Sequence, residues 1–224
     1  MYVRLKTITP DIEKTIVEIA RVSSKREDTS ANPEGLINYL IRNSHWSPFE
    51  HGFITFEIET SRAIAAQLLR HRSNYFQEFS QRYQDVNVLD SGEGIFEPVE
   101  IRKEAEVNRQ SSEEIFNPQL FAYPDSVIWP HGVDAESCVE EHLLRSQRLY
   151  DEMVEAGVAT ECARMILPLC VKTKLFVTMN VRSLIHWLQL RDDHHAQKEI
   201  RDIAVEVKKI AKEELPIISQ ALEL

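Results

Sequence analysis

The chain has 224 residues, which is long enough for one large domain with a well-buried core. Its formal net charge is -10, and this charge disfavours broad electrostatic binding to nucleic acid or to an anionic membrane. No apolar run approaches the roughly 20 residues of a membrane helix, and no signal-type stretch opens the sequence. Cys138, Cys162 and Cys170 form no CxxC pattern, which is typical of a protein in the reducing cytosol. From the charge, the apolar runs and the cysteines together, we expect a soluble, cytoplasmic protein without nucleic-acid or membrane partners.

Apolar residues that recur every three to four positions predict a helix, and apolar residues that alternate with polar ones predict a strand. The predicted elements are a helix over 10–22, a helix over 33–43, a strand over 52–59, a helix over 61–71, an extended run near 76–84, a helix over 137–156, a short helix over 159–166, a strand over 170–179, and helices over 181–190 and 196–214. Regular βαβ alternation is absent, which favours an α+β fold. We therefore expect one domain over 1–224, with a mixed or antiparallel sheet flanked by helices.

Residues 84–115 differ from the rest of the chain in composition. They hold nine acidic residues against three Lys or Arg, and two of the six glycines. Such a composition is typical of an exposed, irregular segment. We expect an acidic insertion at about 84–115.

A first candidate site is the segment RHRSNYFQEFSQRY over residues 70–83. Between residues 61 and 83 the chain has four arginines and one acidic residue, a local excess of positive charge. The guanidinium fork matches phosphate and carboxylate groups, so Arg70, Arg72 and Arg82 suggest an anion site. Gln67 lies one predicted helical turn before Arg70, which would place polar groups on one face of an apolar helix. The alternative is an ordinary solvated, charged surface.

A second candidate site is the helix predicted from Asn180, a residue type that caps helix N-termini well. Arg182, His186 and Gln189 share one helix face at i, i+4 and i+7, beside the apolar stripe. Arg191 extends the apolar stripe itself, and polar groups arranged in this way are typical of a pocket wall. The alternative is that Arg191 only stabilises the C-terminal end of the helix.

A third candidate site is HWSPFEHGF over residues 45–53, where polar side chains crowd a turn containing Pro48. The alternative is a polar turn anchored by Phe49.

The run from Asp192 to His195 resembles a carboxylate–imidazole metal cluster. Adjacent residues on a helix point about 100° apart, so at most two of these four could share an ion there. No HExxH pattern supports a metal centre, and we expect none.

Arg70-His71-Arg72, followed after seven residues by Ser80, resembles the RHRx7S motif of flavin-dependent thymidylate synthases. The similarity extends to Glu78, Arg82 and Tyr83. SPFEH over 47–51, CARMILPL over 162–169 and NVRSLIHWLQLR with HAQ over 180–197 resemble other blocks of that family, in the same order. The chain departs from the usual pattern at Tyr75 and Gln77 within the motif, and at His186, where many members have Asn.

The resemblance implies reductive methylation of dUMP to dTMP, with 5,10-methylenetetrahydrofolate as carbon donor and FAD, reduced by NADPH, as hydride donor. It implies a homotetramer whose sites combine residues of several subunits, and Arg191 as the catalytic residue facing the uracil. The residues that it places at FAD are Ser23, His45, Ser47, Glu50, Arg70, His71, Arg72, Glu78, Asn180, Arg182 and His186. The residues that it places at dUMP are Gln67, Arg70, Glu78, Phe79, Ser80, Gln81, Arg82, Arg164 and Arg191.

Two other function classes remain open from the residues alone. One is a metal-dependent nucleotide phosphohydrolase that uses the Asp192–His195 run. The other is a single-strand nucleic-acid binder that stacks bases on Tyr75, Phe76, Phe79 and Tyr83. The net charge of -10 argues against the second class.

Overall fold

The computed structural model describes residues 1–23, 33–107, 112–121 and 131–224. Within these ranges the helices are α1 (Ile12–Ala20), α2 (Pro33–Arg42), α3 (Arg62–Leu68), α4 (Ala135–Glu155), α5 (Thr160–Ala163), α6 (Val181–Arg191), α7 (Lys198–Glu214) and α8 (Pro216–Ala221). The strands are β1 (Tyr2–Ile8), β2 (Phe53–Ser61), β3 (Tyr75–Glu78), β4 (Arg102–Glu104), β5 (Ser112–Ile115), β6 (Gln119–Leu120), β7 (Val133–Asp134) and β8 (Lys172–Asn180). The predicted α+β class is confirmed, and among the described residues no helix is both long enough and apolar enough to cross a membrane.

The chain groups into two compact units, and each is described by itself. Unit 1 contains residues 1–59, 67–77 and 175–224, and unit 2 contains residues 60–66 and 78–174.

A four-stranded sheet with the order β1-β2-β8-β3 underlies unit 1. Strand β1 pairs antiparallel with β2, from Tyr2 opposite Glu59 to Ile8 opposite Ile54. The register shifts between Leu5 and Thr7, and such a bulge breaks the two-residue alternation. This break explains why periodicity did not predict β1.

Helices cover this sheet with apolar faces. Helix α1 packs on α2, α7 packs on β1 and on α8, and α6 packs on α7. The predicted apolar stripe of α7 is confirmed at Ile200, Ile203, Ala204 and Val207, which are all buried. Trp187 of α6 is among the largest buried side chains, so α6 is held firmly in the core.

Helix α3 is shorter than predicted. It ends at Leu68, and the amides of Arg70 and His71 continue only as i to i−3 bonds to Gln67 and Leu68, at 3.3 and 3.1 Å. The polar run from His71 to Asn74 favours a turn because its short side chains compete for backbone groups. The prediction that Arg70 lies on a half-buried helix face is therefore wrong: Arg70 is exposed in the turn.

Unit 2 has its own core beneath α4. Tyr150 is buried with Val86, Ile95, Ala163 and Val171. The Tyr150 hydroxyl donates to Asp85 Oδ1 at 3.1 Å and accepts from the Val86 amide at 3.3 Å. The segment 84–115 is therefore not exposed throughout, because two of its apolar residues are fully buried.

Candidate active site

A cavity of about 580 Å³ opens beside the N-terminal half of α6 in unit 1. Its lining residues are Trp46, Glu50, Ser73, Asn180, Arg182, Ser183, Ile185, His186 and Gln189. The predicted pocket wall formed by Arg182, His186 and Gln189 is thus observed. Four of the residues that the resemblance placed at flavin, Glu50, Asn180, Arg182 and His186, lie on this one cavity.

The cavity is lined in part by the first turn of α6, where the helix dipole places a partial positive charge. Asn180 caps the helix as predicted, since its Oδ1 accepts the Ser183 amide at 2.8 Å. The Val181 amide donates to the carbonyl of Gly52 at 3.0 Å. Arg182 forms an ion pair with Glu50. Backbone dipoles and guanidinium at a helix start favour anionic groups such as phosphates.

At the other end of α6, two sequence blocks 120 residues apart meet directly. Arg191 Nε donates to His71 Nε2 at 2.9 Å. Burial lowers the pKa of His71 to about 4, with smaller contributions from Arg191 and His186, so His71 is neutral at pH 7. Burial also lowers the pKa of Arg191, which still remains charged because guanidinium pKa values lie so high. The pair therefore carries a single positive charge.

Gln67 forms a side-chain hydrogen bond with a residue that was not predicted to belong to the site. Its Nε2 donates to Oε1 of Gln197 at 2.6 Å, and Gln197 directly precedes α7. Gln67 is predicted to bind the nucleotide, and the hydrogen bond to Gln197 fixes the orientation of its side-chain amide. The polar HAQ block contains Gln197, but a hydrogen bond spanning 130 residues has no sequence signal.

The other predicted residues of unit 1 occupy the surface. Arg70, Arg72 and Ser47 are exposed, and His45 contacts the Tyr39 ring edge-on at 5.7 Å between ring centroids. Arg70 and Arg72 thus stand in water, where their charges need no protein counter-ion. Ser23 ends a 3₁₀ turn, and its side chain lies outside the described part of the structure.

The remaining predicted nucleotide residues belong to unit 2. Glu78 forms an ion pair with Arg62 and accepts from the Thr173 hydroxyl at 2.9 Å. Phe79 packs against the unit 2 core. Glu78 therefore has two partners of its own, which fix its carboxylate.

Three more of the predicted nucleotide residues, Ser80, Arg82 and Arg164, have contacts within unit 2. The Ser80 carbonyl accepts the amide of Tyr83 at 3.0 Å. The Arg82 carbonyl accepts from the Thr160 hydroxyl at 2.8 Å, while its guanidinium lies 5.7 Å from the Tyr83 ring centroid. Arg164 donates from Nε to the Glu161 carbonyl at 3.3 Å.

Gln81 has an unsatisfied donor. The residue is 6 % exposed, and its buried Nε2 has no hydrogen-bond partner in the described structure. A buried, unpaired amide costs about 1–3 kcal/mol, so this atom is suited to a ligand acceptor.

Some cavity residues were not predicted. Trp46, Ser73 and Ser183 line the cavity, and Trp187 contacts the His71 ring edge-on at 6.3 Å. Trp46 and Ser73 lie within the candidate segments 45–53 and 70–83, so proximity in sequence was a usable signal. In the sequence, nothing distinguishes Trp187 from the other apolar residues of the predicted helix.

Comparisons with known proteins show which family the chain is similar to. The family model described as thymidylate synthase complementing protein matches residues 4–217. A probable flavin-dependent thymidylate synthase of Paramecium bursaria Chlorella virus 1 is 38% identical over 214 residues, covering 94% of this chain and 90% of the relative. The flavin-dependent thymidylate synthase of Synechocystis sp. is also 38% identical, covering 94% of this chain and 89% of the relative. That of Thermosipho africanus is 34% identical, covering 89% and 81%. The chain therefore belongs to the thymidylate synthase complementing protein family, that of the flavin-dependent thymidylate synthases.

Proposed function

We propose that this chain methylates dUMP reductively to dTMP, with 5,10-methylenetetrahydrofolate as carbon donor and FAD, reduced by NADPH, as hydride donor. The observation that carries the proposal is the contact between Arg191 and neutral His71, at 2.9 Å, next to the cavity of α6. This contact joins the RHR block to the 180–197 block, and both belong to the family's pattern.

The cavity fits a flavin dinucleotide in size and in chemistry. Its volume of about 580 Å³ is within the usual range for cofactor sites. Trp46 and Ile185 offer apolar surface for a planar ring system. Arg182 lies beside the start of α6 and would exchange its partner Glu50 for a pyrophosphate. When bound, the flavin supplies the hydride, which no side chain can provide.

Arg191 is the group that activates the pyrimidine in this proposal. Carbon C5 of uracil becomes nucleophilic as negative charge develops on the ring oxygens and N3. A fixed guanidinium stabilises that charge most effectively where water is excluded. The bond to His71 uses only Nε, and the guanidinium carries four more N–H donors on its two Nη atoms.

His71 orients this guanidinium without cancelling its charge. A carboxylate in the same place would neutralise Arg191, whereas an imidazole with a pKa of about 4 adds no charge at pH 7. His71 is therefore a positioning residue in the nucleotide site, and it borders the flavin cavity through His186.

The residues of unit 2 that follow Phe79, together with Arg164, supply hydrogen-bond donors for the nucleotide. Ser80, Arg82 and Arg164 offer hydroxyl and guanidinium groups that match a phosphate. Gln81 Nε2 is a buried donor that has no hydrogen-bond partner among the residues the structure describes. We assign these groups to dUMP, with Glu78 fixing the local backbone through Arg62 and Thr173.

We further propose a homotetramer with sites shared between subunits. Large apolar side chains stand exposed on unit 2, namely Leu144, Leu149, Met165 and Leu169, and burial in a subunit contact would remove them from water. The three cysteines carry free thiols, as is typical of a reducing compartment, and we place the enzyme in the cytoplasm. Light scattering during size-exclusion chromatography measures the oligomeric state, and a monomeric mass for the active enzyme would refute the assembly.

The first experiment is the visible spectrum of the purified chain after addition of FAD. NADPH is then added anaerobically, with and without dUMP, and dTMP is quantified after addition of methylenetetrahydrofolate. We expect a protein-bound flavin spectrum, a bleaching rate that changes with dUMP, and formation of dTMP. Absence of flavin binding at any concentration, or bleaching without any dTMP, would refute the proposal.

A further inference from the structure

The turn between α6 and α7 brings three metal-ligating side chains together. Nitrogen or oxygen ligand atoms of Asp193, His194 and His195 lie within 4.8 Å of one another. On a helix, neighbouring side chains diverge, and at most two of them could share an ion. Helix α6 ends at Arg191, so this limit does not hold for Asp193, His194 and His195.

We propose that Asp193, His194 and His195 form a binding site for one divalent transition-metal ion of the Zn²⁺ or Cu²⁺ type. This inference does not depend on the proposed thymidylate synthesis, and the ion is given no step in that reaction.

The side chains already adopt a converging arrangement. Asp193 Oδ1 lies 2.7 Å from His195 Nδ1 and 3.7 Å from His194 Nδ1. The two imidazole rings lie 3.7 Å apart, centroid to centroid. Ligand atoms around a tetrahedral ion stand about 3–3.5 Å apart, as metal–nitrogen distances near 2 Å require. The ligand atoms, which lie within 4.8 Å of one another, would therefore have to approach by about an ångström to bind one ion.

The backbone of the turn is held from several directions. The His195 amide donates to Asp193 Oδ1 at 2.8 Å, and the Ala196 amide donates to the Asp193 carbonyl at 2.9 Å. From α7, Arg201 donates to the His194 carbonyl at 3.2 Å, and Lys208 binds Asp192 at 2.7 Å. The anchored backbone keeps both histidines on one side of the turn.

The side chains themselves can complete the geometry. His194 and His195 are 80% and 64% exposed, so a rotamer adjustment of about an ångström breaks no packing. Asp192 is excluded from the ligand set because its carboxylate forms an ion pair with Lys208.

The ligand set determines the kind of ion. Two imidazoles and one carboxylate favour Zn²⁺, Cu²⁺ or Ni²⁺, whereas Mg²⁺ and Ca²⁺ prefer oxygen ligands. Only three protein ligands are available, so water would complete the coordination shell. We therefore expect affinity in roughly the micromolar range, far weaker than that of a structural zinc site.

The test uses the untagged, chelator-treated full chain and Zn²⁺ in competition with a chromophoric chelator. We expect one Zn²⁺ per chain, with at least tenfold weaker binding in His194→Ala and in His195→Ala. His142→Ala removes an exposed histidine on α4 and is the matched control. Cys162→Ser tests whether the exposed thiol is the true ligand.

Electron paramagnetic resonance of bound Cu²⁺ counts the coordinating nitrogens. We expect two imidazole nitrogens in the wild type and one in each single variant, with circular dichroism confirming that the variants fold. Undiminished Zn²⁺ binding in the His194→Ala/His195→Ala double variant would overturn the proposal. Loss of binding in Cys162→Ser alone would also overturn it.

Discussion

The half-buried guanidinium of Arg191 donates to a histidine rather than to a carboxylate. A partly buried charge normally acquires a counter-charge, because desolvation otherwise destabilises it. Here burial lowers the pKa values of both partners, and within the described part of the chain no carboxylate forms an ion pair with Arg191. An uncompensated cation is unfavourable for the folded protein alone but favourable for binding an anion or an electron-rich ring edge.

Substitution of Arg191 by Ala tests its role in the reaction. We expect kcat/KM for dTMP formation to fall by about 10²–10³, the usual cost of removing one preorganised donor at a developing charge. The spectrum of bound FAD is expected to remain, because Arg191 does not line the cavity of α6. Arg148→Ala, on the exposed face of α4, serves as control. Loss of flavin binding in Arg191→Ala would contradict the assigned role.

The protonation of His71 is directly measurable. NMR titration of the imidazole resonances is expected to give a pKa of about 4 for His71, and Arg191→Ala is expected to raise it by removing a neighbouring positive charge. Between pH 6.5 and 4 the unfolded chain binds a proton at this position that the native protein does not bind. His71 therefore makes the free energy of unfolding decrease as the pH falls through that window, and it has no effect above it. A pKa near 6.5 in the wild type would refute the desolvation of His71 by its surroundings.

At the scale of elements, α6 contributes to both parts of the site. Its first turn and the face of Arg182, His186 and Gln189 line the cavity, while its last residue, Arg191, contacts His71. The opposite face is buried in the core. A rigid helix thus fixes the distance between the proposed flavin and nucleotide groups, as precise sites require.

The caps of α6 and α4 provide a matched pair of variants. Asn180 and Asp134 both accept a hydrogen bond from the third residue beyond them, Ser183 and Ser137 respectively. Each substitution by Ala is expected to cost about 1 kcal/mol of unfolding free energy. Only Asn180→Ala is expected to weaken FAD affinity, since only Asn180 lines the cavity. Chemical denaturation and flavin titration measure the two effects, and equal FAD affinities in both variants would contradict the cavity assignment.

At the scale of the whole molecule, the sheet of unit 1 brings distant blocks of sequence together. Strand β2 starts just after the SPFEH block over 47–51, and β8 ends at Asn180, where the 180–197 block begins. The two strands are neighbours in the sheet, and the Gly52 carbonyl accepts the Val181 amide. The cavity therefore depends on strand pairing rather than on either block alone.

Gly52 lies at this junction and tests its packing. An added Cβ would lie 2.5 Å from Ile12 Cγ1, 2.8 Å from Ile12 Cδ1 and 3.4 Å from Val181 Cγ2. We expect Gly52→Ala to lower the free energy of unfolding by about 1–3 kcal/mol, as measured by urea denaturation. Gly35→Ala on α2 is the control, because no atom lies within 4 Å of its added Cβ. That control is expected to be neutral, or to stabilise by up to about 1 kcal/mol, and equal effects of both substitutions would refute the close packing.

The sequence by itself determined most elements and the identity of the family. Helical periodicity predicted α1, α2, α4, α6 and α7, and alternation predicted β2 and β8, because these elements bury one regular apolar face. The motif blocks carried the resemblance because their residue types are dictated by chemistry.

Only the tertiary structure decided which of these residues meet. The bulge in β1 hid the strand, the polar turn after Leu68 moved Arg70 to the surface, and Val86 and Ile95 became buried within an acidic stretch. The contacts of Arg191 with His71 and of Gln67 with Gln197 span 120 and 130 residues. Local patterns report how each segment buries its own face, whereas such contacts depend on how strands pair and helices pack, and these are properties of the whole chain.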